Sequence, residues 1–211
     1  MNGIVLFGDV VRSRRDPTGS TAWLRTLGDE LAEAYAAGLR LAPVEFTQGD
    51  ELQGLLAAGA DPVAAVLRGA LHPETRPMRW VVVAGEIDPG TGPATQRTGP
   101  AFLRARERVA EAATRRDGLL MACGDAAADR LLDDLAPLLA VLLGDLTERQ
   151  RVIGRLILVE GLRGSEVAAR LNVKRATISV AADRAHLRSI ARLANALRTI
   201  FATGQEAAGT R

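Results

Sequence analysis

Residues 161–179 read GLRGSEVAARLNVKRATIS, and this stretch decides how the second half of the chain folds. Ser165 can cap a short helix over 165–171 whose inward face is Val167, Ala168 and Leu171. Ala168 and Ala169 are small enough to let a second helix cross closely. Asn172 suits a left-handed turn, Val173 plugs the core, and Lys174-Arg175-Ala176-Thr177 open the next helix. That is the spacing of a helix-turn-helix, whose second helix carries side chains to phosphates and base edges. The reading names Ser165, Lys174, Arg175, Thr177 and Ser179 as contacts to double-stranded DNA, with Arg184 and Arg188 adding phosphate contacts further along. A helix pair used for protein contact, its arginines merely solvated, is the alternative.

The flanks extend the helical reading. Thr147, with Gln150 three residues on, makes a capping box for a helix over 147–160. An earlier helix over 125–143 contains Pro137 as a kink point. Arg175–Phe201 reads as one long helix, with Ile190, Leu193, Leu197 and Phe201 at helical intervals for either core packing or the seam of a homodimer. Residues 203–211 read as a frayed tail.

Upstream of residue 125 the pattern alternates. Short apolar runs at Gly3–Phe7, Pro43–Thr47, Glu51–Leu56, Arg79–Ile87 and Leu119–Ala122 predict strands. Helical spacing over 20–40, 61–71 and 102–115 separates them, with Gln48-Gly49-Asp50 as the turn of a hairpin. The order βαββαβαβ predicts two domains, an α/β sandwich with a mixed sheet over 1–124 and an all-α domain with the helix-turn-helix over 125–211.

Charge divides along the same line. Residues 1–144 hold 15 arginines against 19 carboxylates, net −4, whereas residues 145–211 hold 12 cations against 6 acids, net +6. An acidic body with a basic end fits one part facing small ligands and another facing a polyanion. Cys123 is the sole cysteine and the two histidines, His72 and His186, are far apart in sequence, which excludes an intramolecular disulfide and a multi-cysteine zinc site. No uncharged run is long enough for a membrane helix, and MNGIVLFGDVV has no cationic leader, so a soluble cytoplasmic protein is the expectation.

Two acids in the first part sit where chemistry places them. Asp9 follows the first strand in LFGDVVRSRR, and Asp50 stands at the hairpin turn in FTQGDELQGLL. On neighbouring strands both carboxylates share one sheet edge, a hard-oxygen pair suited to Mg²⁺ or Mn²⁺. Arg12, Ser13 and Arg14, in a loop leading to a helix, form a phosphate cradle, and Glu86 after Gly85 is a further lining residue for a nucleotide. Capping by Asp9 and an ordinary turn at Asp50 are the structural alternatives.

Three resemblances follow from these residues. LTERQRVIGRLILVEGLRGSEVAARLNVKRATISVAADRAHLRSI resembles the fourth-region helix-turn-helix of sigma factors and of response-regulator domains, which implies DNA binding. IVLFGDVV, QGDELQGLL, RWVVVAGEI and TGPAFLRARERV together resemble the palm domain of class III nucleotide cyclases and of GGDEF diguanylate cyclases. That likeness implies a ferredoxin-like palm sandwich with Asp9 and Asp50 as metal ligands and Glu51 as an alternative. It departs at Leu103 and Glu107, where class III cyclases carry an asparagine and an arginine that stabilise the transition state, which argues against turnover. The whole layout, GDVVRSR, GDELQ, the Gly85-Glu86 pair and a C-terminal helix-turn-helix, resembles the SatD family and implies a cytoplasmic regulator.

Overall fold

The computed structural model describes residues 1–36, 38–46, 51–115 and 118–210. Strand β1 (Asn2–Val10) lies in the middle of the sheet, because its run GIVLF is apolar on both faces and can be covered on both. Strand β2 (Arg40–Phe46) and strand β3 (Glu51–Ala57) pair antiparallel, and β3 pairs antiparallel with β1. On its other side β1 meets β4 (Met78–Glu86), also antiparallel, and β5 (Leu119–Ala122) closes the sheet parallel to β4. The order is β2-β3-β1-β4-β5. It is a mixed sheet, as the sequence pattern predicts.

Period two along the strands feeds two cores. Ile4, Leu6, Leu52, Val82 and Met121 point to one face, where they meet α1 (Pro17–Ala34) and α2 (Pro62–Ala70). Val5, Phe7, Leu55, Val81 and Val83 point to the other, where Phe102, Ala105 and Ala112 of α3 (Pro100–Arg115) cover them. The helix starts are set by local chemistry. Asp16 accepts the Gly19 N–H at 3.0 Å ahead of Pro17, and Asp61 accepts from Val63 and Ala64 ahead of Pro62.

After β5 only helices follow among the described residues: α4 (Ala126–Gly144), α5 (Glu148–Leu158), α6 (Gly164–Arg170), α7 (Arg175–Arg184) and α8 (Leu187–Gly209). α4 packs on β5 and α8, while α5 and α8 both touch α2. Leu132, Leu139, Ile153, Val167, Ile178, Leu197 and Phe201 therefore belong to the same buried cluster as Ile4, Trp23 and Leu27. The helical region and the α1/α2 face of the sheet share one core. No described helix is long and apolar enough to cross a membrane.

Three local expectations are corrected. The predicted single helix over 175–201 is two helices. α7 ends at Arg184, His186 takes a left-handed φ of 52°, and α8 starts again with Leu187 and Ile190 buried. The break brings Ile178 of α7 and Leu187 of α8 into one core, which a straight helix would not do. The predicted frayed tail is helical to Gly209, because Gly204 seats α8 against Cys123 and Ala128, where any side chain would collide. Ser165 does not cap α6. It lies exposed inside the first turn, and Glu166 closes that end by accepting the Arg163 N–H at 2.7 Å.

Candidate nucleic-acid interface

The turn between α6 and α7 is built as the sequence predicts. Asn172 adopts a φ of 51°, the Val173 N–H donates to the Ala168 carbonyl at 3.0 Å, and Val173 is half-buried on the core. α5 stands behind the pair, its start fixed by the Thr147–Gln150 capping box. Ile178, buried at 2% exposure, anchors α7 and turns its opposite side to solvent.

Helical phase then sorts the exposed residues. At about 100° per residue, Arg175 and Ser179 lie on one flank of the outward face of α7 and Thr177 and Arg184 on the other. Val180 and Asp183 lie between the flanks, and Val180 is 50% exposed. Arg149, at the start of α5, joins Thr177, Val180 and Arg184 in a groove of about 540 Å³. It also borders a second hollow with Asn172, Lys174 and Thr177. Arg149 and Val180 are absent from the sequence-based set. Val180 is legible afterwards as a member of the outward phase of α7. Arg149 is 28 residues from Thr177 and gave no local signal. Arg188 is exposed on α8, beyond the break.

The cations of this surface differ from four other arginines of the helical region, whereas Arg130, Arg151 and Arg192 likewise have no carboxylate partner among the described residues. Arg155 pairs with Glu30 at 2.9 Å, Arg170 with Glu160 at 2.7 Å, Arg163 with Glu166 at 2.9 Å and Arg198 with Asp61 at 2.7 Å. Arg149, Lys174, Arg175, Arg184 and Arg188 have no carboxylate partner among the described residues. A polyanion can neutralise them without first breaking an internal ion pair.

The acidic sheet end is organised the other way. Asp9 belongs to β1 rather than following it, directly opposite Glu51 on β3 and Arg79 on β4. Arg79 Nη1 donates to Asp9 Oδ2 at 3.0 Å. These three side chains border a cavity of about 160 Å³ roofed by Val109 and Ala112 of α3, smaller than the roughly 300 Å³ at which small-molecule sites begin. Asp50 lies outside the described residues.

Arg12 takes a left-handed φ of 61°, and Ser13 and Arg14 form a single tight turn before the Asp16 cap of α1. Glu86 is not with them. It is cross-strand from Asn2, at the other end of β1 and about 23 Å from the level of Asp9 at 3.3 Å per residue. The four residues expected to line one nucleotide site therefore occupy opposite ends of the sheet. Leu103, 62% exposed, and Glu107 face solvent on α3, while Arg104 between them donates to the Ala84 carbonyl at 3.0 Å. Of the four residues with the spacing of a dimer seam, Ile190, Leu197 and Phe201 are at most 2% exposed within the chain's own core, and Leu193 is half-buried against it.

Among the described residues, no three His, Cys, Asp or Glu side chains converge as a group able to hold a metal ion. No family model, no curated protein and no solved structure matches the chain.

Proposed function

We propose that this protein is a DNA-binding transcriptional regulator that reads double-stranded DNA with α7. The observation that carries the reading is the cluster of cations around α7, none with a carboxylate partner among the described residues, presented beside exposed Thr177 and Val180. Lys174, Arg149, Arg184 and Arg188 serve the phosphates. Arg175, Thr177 and Ser179 are placed for base edges, and Val180 offers an apolar contact to a thymine methyl. A homodimer on a two-fold operator suits such a module. The apolar side of α8 is largely buried in the chain's own core, which supports a seam on another surface.

The β1-α1-β2-β3-α2-β4 path with strand order β2-β3-β1-β4 is that of split-βαβ, ferredoxin-like sandwiches, which supports a palm-like first region and the SatD-type layout. A sensor role for Mg²⁺ or Mn²⁺ at Asp9 and Asp50, with Glu51 as the alternative ligand, has less support, and Asp50 lies outside the described residues. The oxygens are of the right kind, but the Arg79 guanidinium already holds Asp9, and a divalent cation would have to displace it. A divergent cyclase with a DNA-binding tail faces the same obstacle.

The test uses the full chain and a fluorescein-labelled duplex of mixed sequence, with anisotropy followed over added salt. Binding at about 50 mM salt that weakens by orders of magnitude by about 200 mM is expected. Absence of salt-dependent binding at the low end rejects the reading.

A further inference from the structure

We propose that the cleft between α2, the start of β4 and the end of α4 is a binding site for a small apolar carboxylate, held by Arg76 and Arg151 over the ring of Trp80. The cavity holds about 350 Å³, within the range of small-molecule sites. Val66, Met78, Trp80 and Leu143 make its walls apolar. Gly118 keeps the floor open, since a side chain there would press on Ala140.

Among the described residues, the only charged side chains on the lining are two arginines. Arg76 spends one nitrogen on Asp16 at 2.7 Å. Arg151 is half-buried and donates once, to the Leu146 carbonyl at 2.7 Å, and it has no carboxylate partner among the described residues. A guanidinium carries five donors and is unfavourable to bury without a counter-ion. An apolar cavity bordered by such a group is complementary to an amphipathic monoanion, whose ring or chain fills the walls while its carboxylate takes the unused N–H groups. Thr75 and the two arginines also border the adjoining groove towards Glu74 and Glu148. Those acids leave the cleft's inner part as the place for the anion.

The location gives the site a consequence. Arg151 stands on α5, the helix that also presents Arg149 to the α7 groove. A ligand that draws on Arg151 therefore acts on the helix behind the DNA-reading surface. That consequence rests on the function proposed above, whereas the binding itself does not.

The experiment is a titration of the full chain with phenylacetate and octanoate, each against its uncharged amide, followed by ligand-observed NMR and without DNA. Each acid should bind at least about tenfold more tightly than its amide, the loss expected for a charged hydrogen-bond partner. Arg151→Gln should remove that preference, and Ala140→Leu, which fills the cavity, should abolish binding of acid and amide alike. Thermal melts of both variants establish that they fold. Equal binding of acid and amide, no binding of either acid at about 10 mM, or full retention of the preference in Arg151→Gln overturns the proposal.

Discussion

The acidic end of the sheet and the cationic turn of the helical region are both rich in charge, yet they resolve it in opposite ways. At the sheet end Asp9 is answered across the strand by Arg79 at 3.0 Å, inside the protein. Around α7, Arg149, Lys174, Arg175, Arg184 and, beyond the break, Arg188 have no carboxylate partner among the described residues. Charge satisfied within the fold contributes to holding strands in register, and charge left unsatisfied is available to a partner. Residue type alone does not distinguish the two cases, because both read as functional clusters in sequence.

The contrast supposes that the two regions are parts of one body, and the largest effect tests that. Phe201 on α8 is buried in the cluster that also contains Trp23 and Leu27. Phe201→Ala should lower the stability of the whole chain by about 3–5 kcal/mol. Far-UV circular dichroism, dominated by the helices, and tryptophan fluorescence, from Trp23 and Trp80, should shift together as one transition. A shift in the first without the second would separate the regions.

Next in size is the difference between unpaired and paired cations. Lys174→Ala with Arg184→Ala should weaken duplex binding about a hundredfold at moderate salt and reduce the salt slope by about two. Arg163→Ala with Arg170→Ala removes the same formal charge from residues already held by Glu166 and Glu160, and should cost less than about threefold. Equal losses from the two double variants would mean that the surface acts only through net charge.

The fold was legible where local chemistry decides it. GIVLF and RWVVVAGEI announce strands through β-branched runs, Thr147 and Gln150 announce a helix start, and Asn172 announces the turn. The break at Ala185-His186 was not legible, because neither residue is a helix breaker. The left-handed His186 is imposed by the need to bury both Ile178 and Leu187. The helical tail depended likewise on Gly204 meeting Cys123 and Ala128, a contact about eighty residues distant in sequence. At the candidate sites the sequence names Lys174, Arg175 and Thr177 from their position after the turn, and all three are exposed there. It missed Arg149 and the Asp9–Arg79 pair, because both depend on tertiary arrangement and strand register. That Glu86 lies at the opposite end of the sheet from Arg12 and Arg14 follows from strand direction, which a linear sequence does not carry.

A smaller effect concerns the junction between the regions. Nδ1 of His72 accepts from Trp23 Nε1 at 3.3 Å and from the Glu74 N–H at 3.1 Å, so this nitrogen has to stay unprotonated. Burial lowers the His72 pKa below its ordinary 6.5, outweighing Glu30 and Glu74, which favour the charged form, while Arg155 adds to the lowering. A lowered histidine pKa means that the folded state binds its proton less readily than the unfolded chain. The stability tied to neutral His72 is thus complete above pH 6.5 and is lost as pH falls below that value towards the folded pKa. His72→Gln should flatten the melting temperature over that interval, and an unchanged slope would assign the pH dependence to other groups.

The smallest effect returns to the acidic end and decides what the Asp9–Arg79 pair is for. Both side chains are about one-quarter to one-third exposed, at 32% and 26%, so the pair contributes at most about 0.5–1 kcal/mol. Arg79→Met keeps the strand and the aliphatic stem but removes the guanidinium from Asp9. If the pair is structural, the variant loses this small amount of stability, and Mn²⁺ raises its melting temperature no more than that of the parent protein. If Asp9 and Glu51 are instead a cation site held closed by Arg79, the variant gains an Mn²⁺-dependent rise that the parent lacks, and Asp9→Asn in the same background removes it. The geometry favours the first outcome, because a guanidinium already hydrogen-bonded to Asp9 Oδ2 supplies locally the positive charge that a metal would bring.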